Sequence, residues 1–175
     1  DFGLYNGVTA ANLLIDNLDA CDLDKSFVNE LSAEAKFYRA FFYDYLFMGY
    51  EQFPLITHYL PVDSMYTVRK GTRDEIFNFM MSDLDDAVTQ YLPLRSETQQ
   101  GRVCRDAAKL LRTKIILFHR AEDKYPQALA DMKEIISSGR YHLVPDYKSL
   151  WLKAGEWGPE SIYEVAYAGN NSGEG

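Results

Sequence analysis

Only two cysteines and three histidines occur in the 175 residues, and neither set has the spacing of a metal site. Cys21 and Cys104 belong to no CxxC pair, which removes zinc-knuckle and dithiol redox chemistry, while a disulfide between them is left open. His58, His119 and His142 form no HExxH or related ligand pattern. Basic residues are also short, with 18 Lys and Arg against 26 Asp and Glu, for a net charge of −8. Those cations are scattered, so the counterion release that drives binding to a polyanion has no footprint, and nucleic acid is excluded as a partner. No apolar run is long enough to cross a bilayer, and DFGLYNG at the start shows neither a basic nor an apolar targeting segment. There is no GxSxG elbow and no glycine-rich phosphate loop. Asp22-Leu23-Asp24 begins like a calcium loop, but Phe27 stands where the sharp-turn glycine belongs. The chain therefore reads as a non-enzyme without a cofactor; a carboxylate pair assembled from distant residues is the one catalytic arrangement left open.

What is present is an ordinary globular balance, 47% hydrophobic and 25% charged, with an unusual 14% of aromatic residues. Apolar residues at Leu4, Val8, Ala11, Leu14, Ile15 and Leu18 recur at helical steps, despite Gly7. A second helix is expected from about Val28 to Gly49. Residues 50 to 71 carry Pro54, Pro61 and Gly71 and no sustained period, so they read as a long ordered loop. Thr72-Arg73-Asp74-Glu75 has the spacing of a capping box and predicts a helix that runs to about Tyr91, before Pro93. Within it, Asp83, Asp85 and Asp86 read as a solvated face. Another helix is expected from Arg105 to Arg120. The next should open near Pro126, bury Ala128, Leu129, Met132, Ile135 and Ile136, and stop at Gly139.

These segments pair into two helical hairpins, about 28 to 91 with a long intervening loop and 105 to 139 with a tight one. The fold class expected is mostly α, with tetratricopeptide-like stacked hairpins, long loops and a short strand-like segment near the C-terminal end, where SIYEVAY alternates with a period of two. Residues 1–175 read as a single helical-repeat domain that forms part of a longer protein.

The densest feature is residues 37 to 53, where nine of seventeen side chains are aromatic. Phe37, Tyr38, Phe41, Phe42 and Tyr45 share one arc with Leu31, Leu46 and Met48, and Tyr43, Phe47 and Tyr50 make a second stripe on the other side. A helix apolar on both sides is expected to be enclosed on both, so the run reads as core and not as a ligand platform. Recognition is better sought where packing makes less demand. Trp157 and Trp151, in the irregular WLKAGEWGP segment, and Tyr66, in the long loop, are the candidate ligand-binding residues, because an amphipathic aromatic face suits a sugar ring or a peptide side chain. Asn170-Asn171-Ser172 matches a glycosylation sequon, a tripeptide too common to carry weight.

Five blocks in order resemble the SusD/RagB family, the surface nutrient-binding lipoproteins of Bacteroidota. They are YNGVTAANLLIDNL, AEAKFYRAFFYDYLFMGYEQFPLI, TRDEIFNFMMSDLDDAVTQYLP, GRVCRDAAKLLRTKIILF and PESIYEV. The resemblance implies a tetratricopeptide-like scaffold that binds glycans, or sometimes peptides, without catalysis. It also implies location at the cell surface on the outer membrane, through a lipid anchor absent from this chain, and partnership with a SusC-like TonB-dependent transporter. In GRVCRDAAKLLRTKIILF, Leu110 and Thr113 stand where small residues are usual in the family. No binding residue is carried over by motif, since the family's ligand contacts vary with the ligand. A helical scaffold that docks another protein is the alternative from a different functional class.

Overall fold

A computed structural model describes residues 2–94 and 101–165. Six helices occur among them: α1 Phe2–Leu18, α2 Lys25–Gly49, the single-turn α3 Val62–Met65, α4 Arg73–Asp86, α5 Arg105–Phe118 and α6 Tyr125–Ser137. Helix α2 is the hub; α1 and α4 pack along it, α5 reaches it as well, and α6 folds back on α5. The architecture is one of stacked antiparallel helical hairpins joined by one long loop, as the apolar periods imply.

The local signals explain where most helices begin and end. Asp24, in the segment that resembles the start of a calcium loop, is the N-cap of α2, its carboxylate accepting from the Ser26 and Phe27 amides at 2.8 and 3.3 Å. Thr72 and Glu75 close the expected capping box, the Glu75 amide donating to Thr72 Oγ1 at 3.2 Å and the Thr72 amide to Glu75 Oε2 at 2.8 Å. Pro126 stands in the first turn of α6, and Gly139, with φ 66°, occupies the left-handed position just beyond its end. Regular α4 stops earlier than expected, at Asp86, and a wider π turn over Ala87–Tyr91 leads to Pro93, which cannot supply a helical N–H.

Packing corrects the expected faces of α2. Its deepest side chains are Ala33, Phe37, Ala40, Tyr43, Leu46 and Phe47, and the helix packs most extensively against α1 and α4. Tyr45, Met48 and Tyr50, expected inside, are exposed, because α5 meets α2 over a short stretch and leaves that side open. Phe41 and Phe42 remain half-buried, Phe42 lying over Gly7. A Cβ at Gly7 would sit 2.2 Å from the Phe42 ring, so the glycine that weakens α1 as an isolated helix is what lets the two helices close. Helix α6 departs from expectation for a similar reason: α5 covers Ala128 and Ile135, while nothing described covers Leu129 or Ile136, the latter 77% exposed.

The acidic run is not a solvated face. Asp83 is buried and receives a two-pronged bond from Arg39, at 2.8 and 2.7 Å. Asp85 binds Arg112 at 2.7 Å and Asp86 binds Lys36 at 2.5 Å. Arg39 also donates from its other terminal nitrogen to Asn12 Oδ1 at 2.7 Å and to the Thr57 carbonyl at 3.0 Å. Asn12 passes its own amide hydrogens to the carbonyls of Ile56 and His58, and the Tyr43 hydroxyl both donates to Ile56 O and accepts from Ile56 N. The long loop is thereby fastened to α1, α2 and α4 by buried polar bonds. A second fork joins Arg112 to Asp131 at 2.9 and 2.7 Å and ties α5 to α6.

The strand-like expectation is not met among the described residues, where no strand forms. Residues 161 to 165 find no partner strand, and Ile162 and Tyr163 instead pack onto the core, with a 2.8 Å hydroxyl contact between Tyr163 and Tyr38. Ala166, Tyr167 and the Asn170 sequon lie outside the described residues. Cys21 is exposed and Cys104 buried, and both are free thiols.

Replacing Arg39 with Ala strands a buried carboxylate and the Asn12 carbonyl, and should cost about 3–5 kcal/mol in urea unfolding. Gly7→Ala should cost about 1–3 kcal/mol by overpacking against Phe42. Glu75 supplies a pH test. The Arg69 guanidinium beside it and the Thr72 amide lower its pKa from the ordinary 4.5 to about 2. Its contribution is therefore present above pH 4.5 and is lost as pH falls toward 2. The excess Tm of the parent over Glu75→Gln, measured near neutral pH, should narrow across that window.

Candidate functional site

The three candidate aromatic residues fall in different places. Tyr66 follows the short helix α3 and is 84% exposed. Trp151 ends a 3₁₀ turn, Tyr147–Trp151, and is 74% exposed, its indole meeting the equally exposed Tyr147 ring edge to face at 6.0 Å. Trp157 is half-buried, with a left-handed backbone at φ 58° and its amide donating to Glu164 Oε1 at 2.8 Å. Tyr66 borders a defined cavity that shares no lining residue with either tryptophan.

That cavity, about 400 Å³, lies between the first half of α1 and the α3 turn. Helix α1 supplies Tyr5, Asn6 and Thr9, the loop supplies Pro54 and Ile56, and α3 with its following residue supplies Met65 and Tyr66. Asn6 and Thr9 are three apart, so their side chains share one helical face. Pro54 and Ile56 are held in place by the buried network: Ile56 O accepts from Asn12 and Tyr43, and the Tyr5 hydroxyl donates to Pro54 O at 2.8 Å. Partial burial pushes the Tyr5 phenol up to about 12, so it stays a neutral donor throughout the physiological range. Among the described residues, the Asn6 amide and the Thr9 hydroxyl have no hydrogen-bond partner in the fold, and both face the cavity as unspent donors and acceptors.

Chemically, the site offers one exposed phenol ring at the rim, a thioether and two aliphatic surfaces at the base, and an amide and a hydroxyl on the helical wall. It brings together no nucleophile and base. No cluster of three or more His, Cys, Asp or Glu placed to hold a metal ion occurs among the described residues. Such a mixture of apolar surface and a few convergent neutral polar groups suits reversible binding of a small polar, carbon-faced ligand. Other concavities differ in their linings. One between the long loop and α4, about 580 Å³, is charged, with Arg69 and Glu75 beside Thr57, Asn78 and Phe79. One between α2 and α5, about 590 Å³, is lined by Phe37, Phe41, Leu110 and Ile162, with Lys114 at its side. Another, about 520 Å³, lies between α5 and α6 and is lined by Leu117, Leu129 and Met132.

Tyr66, expected from the sequence as a candidate, borders this cavity, whereas Tyr5, Asn6 and Thr9, which also line it, were not among the candidates. A usable signal was present in YNGVT, where the polar residues at 6 and 9 share the side of the helix away from Val8 and Ala11. Asn6→Ala and Thr9→Ala should each leave the unfolding midpoint within about 0.5 kcal/mol of the parent, because neither side chain bonds to the described fold; circular dichroism melts would check this.

A family model for SusD-like proteins, described as starch-binding associating with outer membrane, matches residues 2–117. Surface glycan-binding protein A from Bacteroides uniformis is 27% identical, with a TM-score of 0.86, over 94% of this chain and 37% of its own. The corresponding protein from Bacteroides thetaiotaomicron, solved in complex with laminarihexaose, is 28% identical with a TM-score of 0.84, over 94% of this chain and 34% of its own. A SusD-like protein of Formosa agariphila is 26% identical over 172 residues, which are 98% of this chain and 32% of that protein. The chain thus spans about a third of the length of these relatives.

Proposed function

Because the chain belongs to the SusD-like family, we propose that it captures glycans without catalysis, and that the cavity between α1 and α3 is part of the surface that holds them. The observation that carries this reading is the position of Tyr66, an exposed ring at the rim of a cavity whose wall holds an unspent amide and hydroxyl. A pyranose has one face of C–H bonds and a periphery of hydroxyls, so a ring stacks on the first while Asn6 and Thr9 bond to the second. Similarity to glycan-binding proteins, one of them solved with a bound oligosaccharide, supports the same ligand class.

The rest of the proposal draws on the family. In this reading the protein acts at the cell surface, held to the outer membrane by a lipid anchor, and delivers its glycan to a SusC-like TonB-dependent transporter. No described helix is long and apolar enough to cross a membrane, and attachment by a lipid requires none. Trp151 and Trp157 belong to the proposal as further contacts for a longer ligand, Trp151 with the more accessible ring. A protein-docking scaffold is the second reading, favoured by the uncovered apolar side chains of α6, Leu129 and Ile136.

Isothermal titration with a panel of oligosaccharides separates these readings. Tyr66→Ala should weaken the best ligand by roughly tenfold, about 1.4 kcal/mol, with an unchanged Tm. Unaltered affinity in Tyr66→Ala would remove the cavity from the site, and no glycan affinity together with tight binding to a transporter would favour the scaffold.

A further inference from the structure

The charge around the cavity is as informative as its shape. Among the described residues, no Lys, Arg, Asp or Glu lines it. Helix α1, which forms the polar wall, contains one charged residue in all of Phe2–Leu18, Asp16, and α3 contains one, Asp63. Both are carboxylates. The cations of the neighbouring elements are directed elsewhere: Arg39 is buried against Asp83, and Arg69 forms a fork with Glu75 at 2.9 and 2.6 Å. Lys70 pairs through its backbone with Pro54, and its side chain is not part of the lining.

From this we infer that the cavity selects neutral glycans and rejects those bearing carboxylate or sulfate groups. The inference rests on the glycan-binding reading above and names the ligand class for it. An anionic sugar entering here would shed water from its charge and meet an amide, a hydroxyl and a phenol, with no cation to replace the lost hydration. The overall charge of −8 adds a repulsive background field. A neutral hexose loses only hydroxyl hydration, which Asn6, Thr9 and the rim can restore.

The test compares polymers of one backbone that differ only in charge. The intact protein is titrated with laminarin, dextran and soluble starch, and with their sulfated derivatives, at low salt and in about 0.5 M salt. The expected result is that at least one neutral polymer binds, with affinity unchanged within about twofold by salt, and that its sulfated form binds at least about tenfold more weakly. Asn6→Lys should then improve binding of the sulfated form specifically, with a new salt dependence. Tighter binding of a sulfated polymer by the parent, falling as salt rises, would overturn the charge selection and leave glycan capture standing. Absence of binding to every polymer of either kind would remove both the selection and the function beneath it.

Discussion

A guanidinium taken out of water must be surrounded by acceptors, and the burial of Arg39 imposes that condition on four separate parts of this chain. Asp83 from α4 takes two of its hydrogens, Asn12 from α1 a third, and the Thr57 carbonyl of the long loop shares the same nitrogen. A side chain 5% exposed cannot recover those bonds from solvent if any partner moves. The relative placement of α1, α2, α4 and the loop is therefore specified together. Asn12 extends the constraint by giving its amide hydrogens to Ile56 O and His58 O, so a loop with two prolines and no regular structure is pinned along residues 56 to 58. The cavity wall of Pro54 and Ile56 inherits its rigidity from this network.

The same solution recurs in the second hairpin, where Arg112 is buried against Asp131 of α6 and reaches Asp85 of α4. Arginine suits both places because its fork keeps a carboxylate in fixed orientation, which a lysine point charge does not. The aromatic belt around these forks has a complementary role. Phe79 lies under the Arg39 guanidinium at 4.7 Å, and Phe47 is sandwiched between Phe53 and the stacked His119 ring. Aromatic rings fill the space around a planar cation without offering it a competing acceptor. The Phe and Tyr rings of α2 pack mainly on one another and on Phe53 and Tyr163, and the ring proposed to stack on a ligand, Tyr66, stands on a different element.

Signals confined to a few neighbouring residues were legible in the sequence. The capping box at Thr72, the glycine at 139 and the proline at 126 act through their own backbone, and each stands where the local chemistry places it. Partner-dependent properties were not legible. Asp83, Asp85 and Asp86 of α4 look like a wet face until Arg39, Arg112 and Lys36 arrive from other helices, and Tyr45 looks like core until α5 meets α2 over too short a stretch to cover it. Gly7 reads as a flaw in α1 until Phe42 is placed over it. For the proposed site, Tyr66 stood out as an aromatic residue in a loop, whereas Asn6 and Thr9 are small polar residues that share a cavity with it across 56 or more residues of intervening chain.

The arrangement of the proposed site follows from where rigidity is available. Binding that depends on stacking and a few neutral hydrogen bonds draws little from charge, so affinity must come from groups that lose little freedom when the ligand arrives. Tyr5, Asn6 and Thr9 ride on a helix clamped by the Arg39 network. Ile56 is held by the Asn12 and Tyr43 side chains and Pro54 by the Tyr5 hydroxyl, and Met65 and Tyr66 sit on a single helical turn whose N-cap is Pro61. The Tyr66 ring and the Asn6 side chain are left exposed to solvent. A neutral site of this kind is weak per contact and gains strength by repetition along a polymer, each added contact raising the effective concentration of the next sugar. An exposed Tyr147–Trp151 pair elsewhere on the same rigid scaffold is the kind of second contact that such repetition would use, provided that the ligand is long enough to span both.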